Sequence, residues 1–301
     1  MLDLTIPVFL KENGNLKNGT EGSYDTEFGC TFDKLYNDPR NFFRDGKINM
    51  LLGGREHPDN AIRFLREEGI FVSPDQTFQE EKFGFKSHGE TGWYVYEAAE
   101  NAAVYYGFNR DMTETEILEI AGKAKNSEDP MAVWTPYLNR IPVKQGDVFF
   151  MIPGLVHGMT EGLTVIEIQE YETGTLKTKD LAAGVHHMKL AANPLPLVDK
   201  QKRVPYTYKR TADGEVTSLL AITHTLNFSV IELNVHGTMK ALETASYCFV
   251  LDGEGKAIGN WYEREIKKGD LFFLPYPATG ISFTGNVKVM MTYAGLPDLH
   301  R

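Results

Sequence analysis

The stretch Val143-Lys-Gln-Gly-Asp-Val-Phe-Phe-Met-Ile-Pro153 reads as a Gly-Asp turn feeding a short apolar strand that stops at proline. The same pattern recurs as Ile266-Lys-Lys-Gly-Asp-Leu-Phe-Phe-Leu-Pro275. A pattern of apolar residue, lysine, Gly-Asp turn, buried strand and proline occurring twice indicates two related β units in one chain. Working outward, Gly92–Tyr96, Ala102–Gly107, Leu163–Gln169, Phe228–Val235, Ala245–Leu251 and Val287–Tyr293 are further alternating or apolar runs, separated by turn residues. Strands recurring at this density predict a β-sandwich or barrel class.

Helices are few. Thr113 and Glu116 form a capping box, and Ile117, Leu118, Ile120, Ala121 and Ala124 follow at helical spacing, which predicts a helix over 114–125. A second helix is expected over Ala61–Glu68, capped by Asp59 or Asn60 and ended by Gly69, and a short third one within Met131–Leu138. The expected division is a first domain over 1–195, including the helical segment 113–138, and a smaller second domain over 210–301. The linker falls in Asn193–Lys209. Residues 11–47 are polar and rich in Gly and Asn, and no element is assigned to them.

The chain has 301 residues with 42% apolar and 24% charged side chains, enough for a large core without a disulfide or metal staple. A net charge of −10, with no basic run beyond Lys200–Arg203, argues against nucleic acid or an anionic membrane as partner. Cys30 and Cys248 form no CxxC, which excludes a zinc knuckle or disulfide framework. No signal-peptide pattern and no apolar run of membrane-spanning length are present, so a cytoplasmic setting is expected. Walker, GxGxxG, GxSxG and HExxH motifs are absent.

The run Gly146-Asp147 to Pro153-Gly154-Leu-Val-His157 resembles the second motif of cupins, in which a strand ends in a glycine turn that aims a histidine into a jelly-roll barrel. Trp93-Tyr94, Ala103–Gly107, the capped helix, Ile141–Asp147, Gly154–His157, Val165–Gln169 and Gly253–Pro275 follow in one order. That order is similar to class I mannose-6-phosphate isomerases of the short bacterial type, over about residues 60–297. The resemblance implies a mainly β fold: a double-stranded β-helix (cupin jelly-roll) barrel, then a smaller cupin-like barrel, with a small helical insertion. It also implies interconversion of mannose 6-phosphate and fructose 6-phosphate at a zinc site in the first barrel.

Most of the family's zinc ligands are replaced. Phe71 stands for the family glutamine, Ser73 for its first histidine and Thr91 for its glutamate, while His157 is retained. Phenylalanine cannot ligate zinc, and serine ligates it poorly. His88 and Glu90, in the loop before Trp93, would complete a His₂Glu set with His157, and Arg55–Asp59 offers His57 as another donor. Bound zinc therefore remains possible.

Lys177 stands where the family carries an arginine, which keeps the charge but loses the bidentate fork. Glu167 and Gln169 are kept from the family's strand end. An isomerase needs a base near C1 and C2 and a group to stabilise the developing oxyanion. The expected assignments are Lys177 and Glu167 as catalytic, with Glu90 an alternative base, and Trp93, Gln169 and Lys86 as substrate-binding. Lys179 and Arg110 are further candidates for a phosphate grip. The competing expectation is a non-catalytic cupin that binds a carbohydrate through its barrel pocket after losing the metal. The partner in either case is a small sugar or sugar phosphate.

Overall fold

The computed structural model describes residues 5–12, 24–26, 61–66, 83–86, 91–169, 175–177, 185, 188–190, 202–203, 205–220, 228–243, 246–275, 278 and 280–294. In chain order the strands are β1 (Val8–Glu12), β2 (Tyr24–Thr26), β3 (Ala61–Arg66), β4 (Phe83–Lys86), β5 (Thr91–Ala98) and β6 (Ala103–Phe108). After helices α1 (Glu114–Lys125) and α2 (Pro130–Trp134) come β7 (Leu138–Pro142), β8 (Val148–Met151), β9 (His157–Met159), β10 (Leu163–Gln169), β11 (Thr175–Lys177) and β12 (Lys202–Arg203). The chain then runs through β13 (Tyr206–Thr211), β14 (Gly214–Leu220), β15 (Phe228–Val235), β16 (Thr238–Lys240), β17 (Ser246–Ile258), β18 (Glu263–Lys267), β19 (Leu271–Leu274) and β20 (Ser282–Ala294).

The chain divides into two compact units, Ala61–Arg203 and Val204–Arg301 together with Met1–Asn60. The first unit is a cupin jelly roll of two five-stranded sheets, ordered β12-β8-β5-β10-β3 and β11-β4-β9-β6-β7. Its interior cluster includes Trp93, Val95, Val104, Tyr106, Phe149, Met151, Leu155, Leu163 and Val165. The second unit is built on a ten-stranded sheet with the path β13-β14-β15-β20-β17-β19-β1-β2.

The repeated sequence is repeated structure, bond for bond. In the first unit Gly146 N donates to Val95 O (2.9 Å), Val95 N to Asp147 O (2.8 Å), and Lys144 N to Asp147 Oδ2 (2.9 Å). In the second, Gly269 N donates to Val250 O (2.9 Å), Val250 N to Asp270 O (2.9 Å), and Lys267 N to Asp270 Oδ2 (2.9 Å). Gly146 and Gly269 sit at φ 88° and 91°, where a Cβ is disfavoured, so both turns call for glycine. The four-residue strands that follow, β8 and β19, are buried along their whole length.

α1 forms as its sequence predicts. Thr113 Oγ1 accepts from Glu116 N (3.2 Å), and the Glu116 carboxylate accepts from Thr113 N (2.8 Å). Its face of Ile117, Ile120, Ala121 and Ala124 packs with Phe108, Trp134, Leu138 and Val156, so the insertion backs the residue before His157. The third expected helix is present as α2 and a following 3-10 turn, Thr135–Tyr137.

Two expectations are corrected. Ala61–Arg66 is strand β3, not a helix, and pairs antiparallel with β10 over its full length. Six residues of Ala-Ile-Arg-Phe-Leu-Arg fit either periodicity, and pairing to a neighbouring strand decides between them. The N-terminal segment does not belong wholly with the first barrel. β1 pairs with β19 of the second unit, with Phe9 stacked on Phe272 at 4.9 Å and the Arg264 guanidinium over the Phe9 ring. At the other boundary, β12 pairs with β8, which carries the first unit to Arg203 rather than 195. Among the described residues no helix is long and apolar enough to cross a membrane.

Candidate active site

Three of the expected site residues meet inside the first barrel. Trp93 in β5 is directly opposite Glu167 in β10, and residues so opposed share one face of the sheet. The Trp93 Nε1–H donates to Glu167 Oε1 at 3.2 Å. His157 opens β9 in the facing sheet, and its ring meets the Trp93 indole edge-on, with centroids 5.3 Å apart and planes at 78°. All three are buried, Glu167 at 4% exposure and His157 at 9%.

Local structure explains the placement. Gly154 adopts φ 80° just after β8, and this left-handed turn reverses the chain toward β9. The Nδ1–H of His157 donates to Leu155 O at 2.8 Å, which leaves the lone pair of a neutral imidazole on Nε2. Tyr106, opposite His157 in β6, donates its hydroxyl to Phe150 O at 2.6 Å and so ties the two sheets together. A carboxylate this deeply buried is costly unless it is hydrogen-bonded and compensated.

The two lysines occupy a two-stranded ribbon beside His157. Lys177 is in register with Gly84, and Gly84 with His157. Lys86 is in register with Thr175, so both lysines hold strand positions of the same parity as His157. At about 4.8 Å between strands, Lys177 and His157 lie roughly 10 Å apart along the sheet. Gln169 ends β10, two positions beyond Glu167 and opposite Thr91. Arg110 is not at this site: its guanidinium binds Glu116 (2.9 Å) and the Asp111 carbonyl (3.0 Å) at the cap of α1. That arginine and the Thr113 hydrogen bonds hold the Glu116 carboxyl below the usual carboxylate range. His57, Phe71, Ser73, His88, Glu90 and Lys179 lie outside the described residues.

As donors for a metal, the described residues present His157 and Glu167, and Thr91, which the resemblance sets at a glutamate position, is buried at 1% exposure. Among the described residues no group of three or more His, Cys, Asp or Glu converges as a metal set. Three protein ligands are usual for catalytic zinc. A set including His157 therefore needs donors such as His88 or Glu90. Sequence reading overlooked strand β3, in which Arg63 is in register with Glu167. The helical assignment of 61–68 hid it.

Comparison with known proteins places this geometry in context. The family model for the cupin domain of mannose-6-phosphate isomerase matches residues 219–294. The mannose-6-phosphate isomerase of Streptococcus mutans is 23% identical over 291 residues, covering 88% of this chain and 81% of that one. The solved structure of the mannose 6-phosphate isomerase from Bacillus subtilis superposes with a TM-score of 0.64 at 18% identity, over 95% of this chain and 99% of the other. That of the Salmonella typhimurium enzyme, bound to fructose 6-phosphate and zinc, superposes at 0.65 and 9% identity, over 96% and 99%. These structural matches establish the shared fold.

Proposed function

We propose that this chain is a class I mannose-6-phosphate isomerase of the cupin superfamily and catalyses aldose–ketose isomerisation of a sugar phosphate of the mannose 6-phosphate and fructose 6-phosphate class. The observation that carries the reading is the buried Glu167 carboxylate, held by the Trp93 indole beside His157 on the inner wall of the barrel. A purely carbohydrate-binding role is not favoured, because the relatives matched over most of the chain carry the name of the isomerase.

Each residue has a part. Glu167 takes the proton from C2 of the open-chain aldose and returns it to C1, passing through an enediolate. Trp93 aims that carboxylate. The hydroxyl proton moves from O2 to O1 in the same exchange, and the Leu155 carbonyl, which takes the Nδ1–H of His157, leaves Nε2 as the nitrogen a metal would use. Lys177 is assigned to balance the negative charge that grows on the enediolate oxygen. Lys86 and Gln169 grip and orient the substrate, the lysine through its phosphate. Zinc, when bound, would polarise the substrate oxygens. Holding it falls to His157 with His88 and Glu90, since His157 and Glu167 alone make too small a donor set. A cytoplasmic setting suits the chain, since Cys248 is an unpaired, buried thiol.

The test is loss of the C2 proton signal when purified protein is incubated with mannose 6-phosphate in D₂O, with and without added zinc. Exchange accompanied by fructose 6-phosphate is the expected result. No exchange with mannose 6-phosphate or any other aldose phosphate, in either condition, overturns the reading.

A further inference from the structure

We propose that Tyr106 is a positioning residue of this site, a strut that holds His157 at a fixed distance from Glu167 across the first barrel. The consequence for turnover rests on the isomerase reading, whereas the strut rests on geometry alone. His157 in β9 and Glu167 in β10 belong to facing sheets. Tyr106 lies opposite His157, and its hydroxyl crosses to the carbonyl of Phe150 in β8, in the sheet that carries Glu167. Its ring meets the Phe149 ring with centroids 6.0 Å apart. Phe149 is opposite Trp93, and Trp93 touches His157 at 5.3 Å while its indole holds Glu167. Trp93, Phe149, Tyr106 and His157 thus close a circuit of four rings around the interior, each at 9% exposure or less. Rings packed edge to face keep their mutual orientation, and the hydroxyl bond fixes how far apart the two sheets stand.

The second barrel supplies an internal reference. There β17 repeats β5 and β6 as one strand, β18 repeats β7, β19 repeats β8, and β20 repeats β9 and β10. Both barrels carry a bulge at the same place, after the Val95–Val165 pair and after the Val250–Val289 pair. Val104 pairs with Ile141 and Met159 as Ala257 pairs with Arg264 and Phe283. Two positions further on, Gly259 and Ile281 stand where the first barrel has Tyr106 and His157. Cys248 and Phe272 likewise stand for Trp93 and Phe149. A Cβ on Gly259 would already press on Ile281 Cδ1 at 2.7 Å. Three of the four rings are thus missing from a barrel that closes around an apolar interior all the same. Closing the fold does not call for a tyrosine at this position. Holding groups from two sheets in one geometry does, because a misplacement of about 1 Å can cost a hundredfold in rate.

The experiment uses Tyr106→Phe, which removes the hydroxyl and keeps the ring, with Thr113→Ala as a control that loosens the protein away from the site. The His157 ring-proton NMR signals, assigned by their loss in His157→Gln, report the distance and tilt of the Trp93 indole through its ring current. They are expected to shift in Tyr106→Phe and to keep their wild-type positions in Thr113→Ala. For mannose 6-phosphate, kcat in Tyr106→Phe is expected to fall about ten- to a hundredfold with KM nearly unchanged. A folded Tyr106→Phe protein whose His157 signals stay in place, or whose kcat is that of wild type, overturns the proposal. Should Tyr106→Phe fail to fold, Phe149→Leu opens the same circuit at the other contact of Tyr106 and carries the same two expectations. If the wild-type protein isomerises no sugar phosphate, the functional reading fails, and the His157 signals still decide whether Tyr106 holds that ring in place.

Discussion

The two barrels share a backbone plan and differ in what they place inside it. Both run a Gly-Asp turn with the same hydrogen bonds into a buried strand, and both bulge at the same point of the central pairing. Counted from left-handed Gly154, the first barrel reaches Leu155 and His157. Counted from left-handed Gly280, the second reaches Ile281 and Phe283, both buried. The second barrel fills its interior with Phe272, Cys248, Met291, Ile231 and Phe283, as a core built for stability would. The first gives up part of that packing for a polar cluster whose burial is costly. The two copies thus differ in content: one keeps an apolar interior, and the other holds the buried polar cluster to which the proposed chemistry is assigned.

This contrast can be broken most severely at its centre. Glu167→Gln should lower kcat by about 10²–10⁴-fold, the usual contribution of a general base, while circular dichroism shows the fold intact. An unchanged rate would mean that the carboxylate is structural. The reciprocal change, Met291→Glu, places a lone carboxylate among Phe272, Cys248 and Ile231. It should cost about 3–5 kcal/mol in urea unfolding at neutral pH. A loss under about 1 kcal/mol would show that the second interior tolerates charge and that the contrast is superficial.

A smaller effect is expected in the helical insertion, which among the described residues only the first barrel carries. Thr113→Ala removes both halves of the capping interaction on the hydroxyl side and should cost about 1 kcal/mol, leaving C2 proton exchange unaltered. A matching fall in exchange rate would instead tie the helix to the site through Val156. Smallest is the pH response of the second barrel. Burial raises the Glu232 carboxyl above its usual value of 4.5, and Lys288 at 3.6 Å offsets this only in part. A raised carboxylate stabilises the folded form below the unfolded value, and that contribution is lost as pH rises through the folded value. Glu232→Gln should therefore gain on wild type in urea midpoint as pH is raised from 4 toward 7. A constant difference across that window would contradict the assignment. Burial likewise pushes the Cys248 thiol well up, so in a Cys30→Ser background it should react with a thiol reagent only at the rate of unfolding.

Much of this architecture is legible along the chain because its signals are local. The Gly-Asp turns, the all-apolar strands and the Thr113–Glu116 cap depend on neighbours within a few residues. The site is legible only in part. His157 announces itself through the glycine turn before it, and Glu167 through the strand end it shares with the family. What joins them is not local: Trp93 and Glu167 are 74 positions apart in sequence, and only the β5–β10 pairing brings indole to carboxylate. Strand β3 was hidden for the same reason, in a six-residue segment with no decisive period.

Local chemistry thus determined by itself the two related β units and the capped helix α1, and that position 157 presents an imidazole after a tight turn. Tertiary pairing alone decided that Ala61–Arg66 is a strand, that Val8–Glu12 joins the second unit's sheet, and which side chains face Glu167. The physical reason is that turns and caps are stabilised by bonds to adjacent residues. Strand register is set by hydrogen bonds and buried contacts between segments far apart in the chain, and a short apolar segment takes whichever form its partner offers.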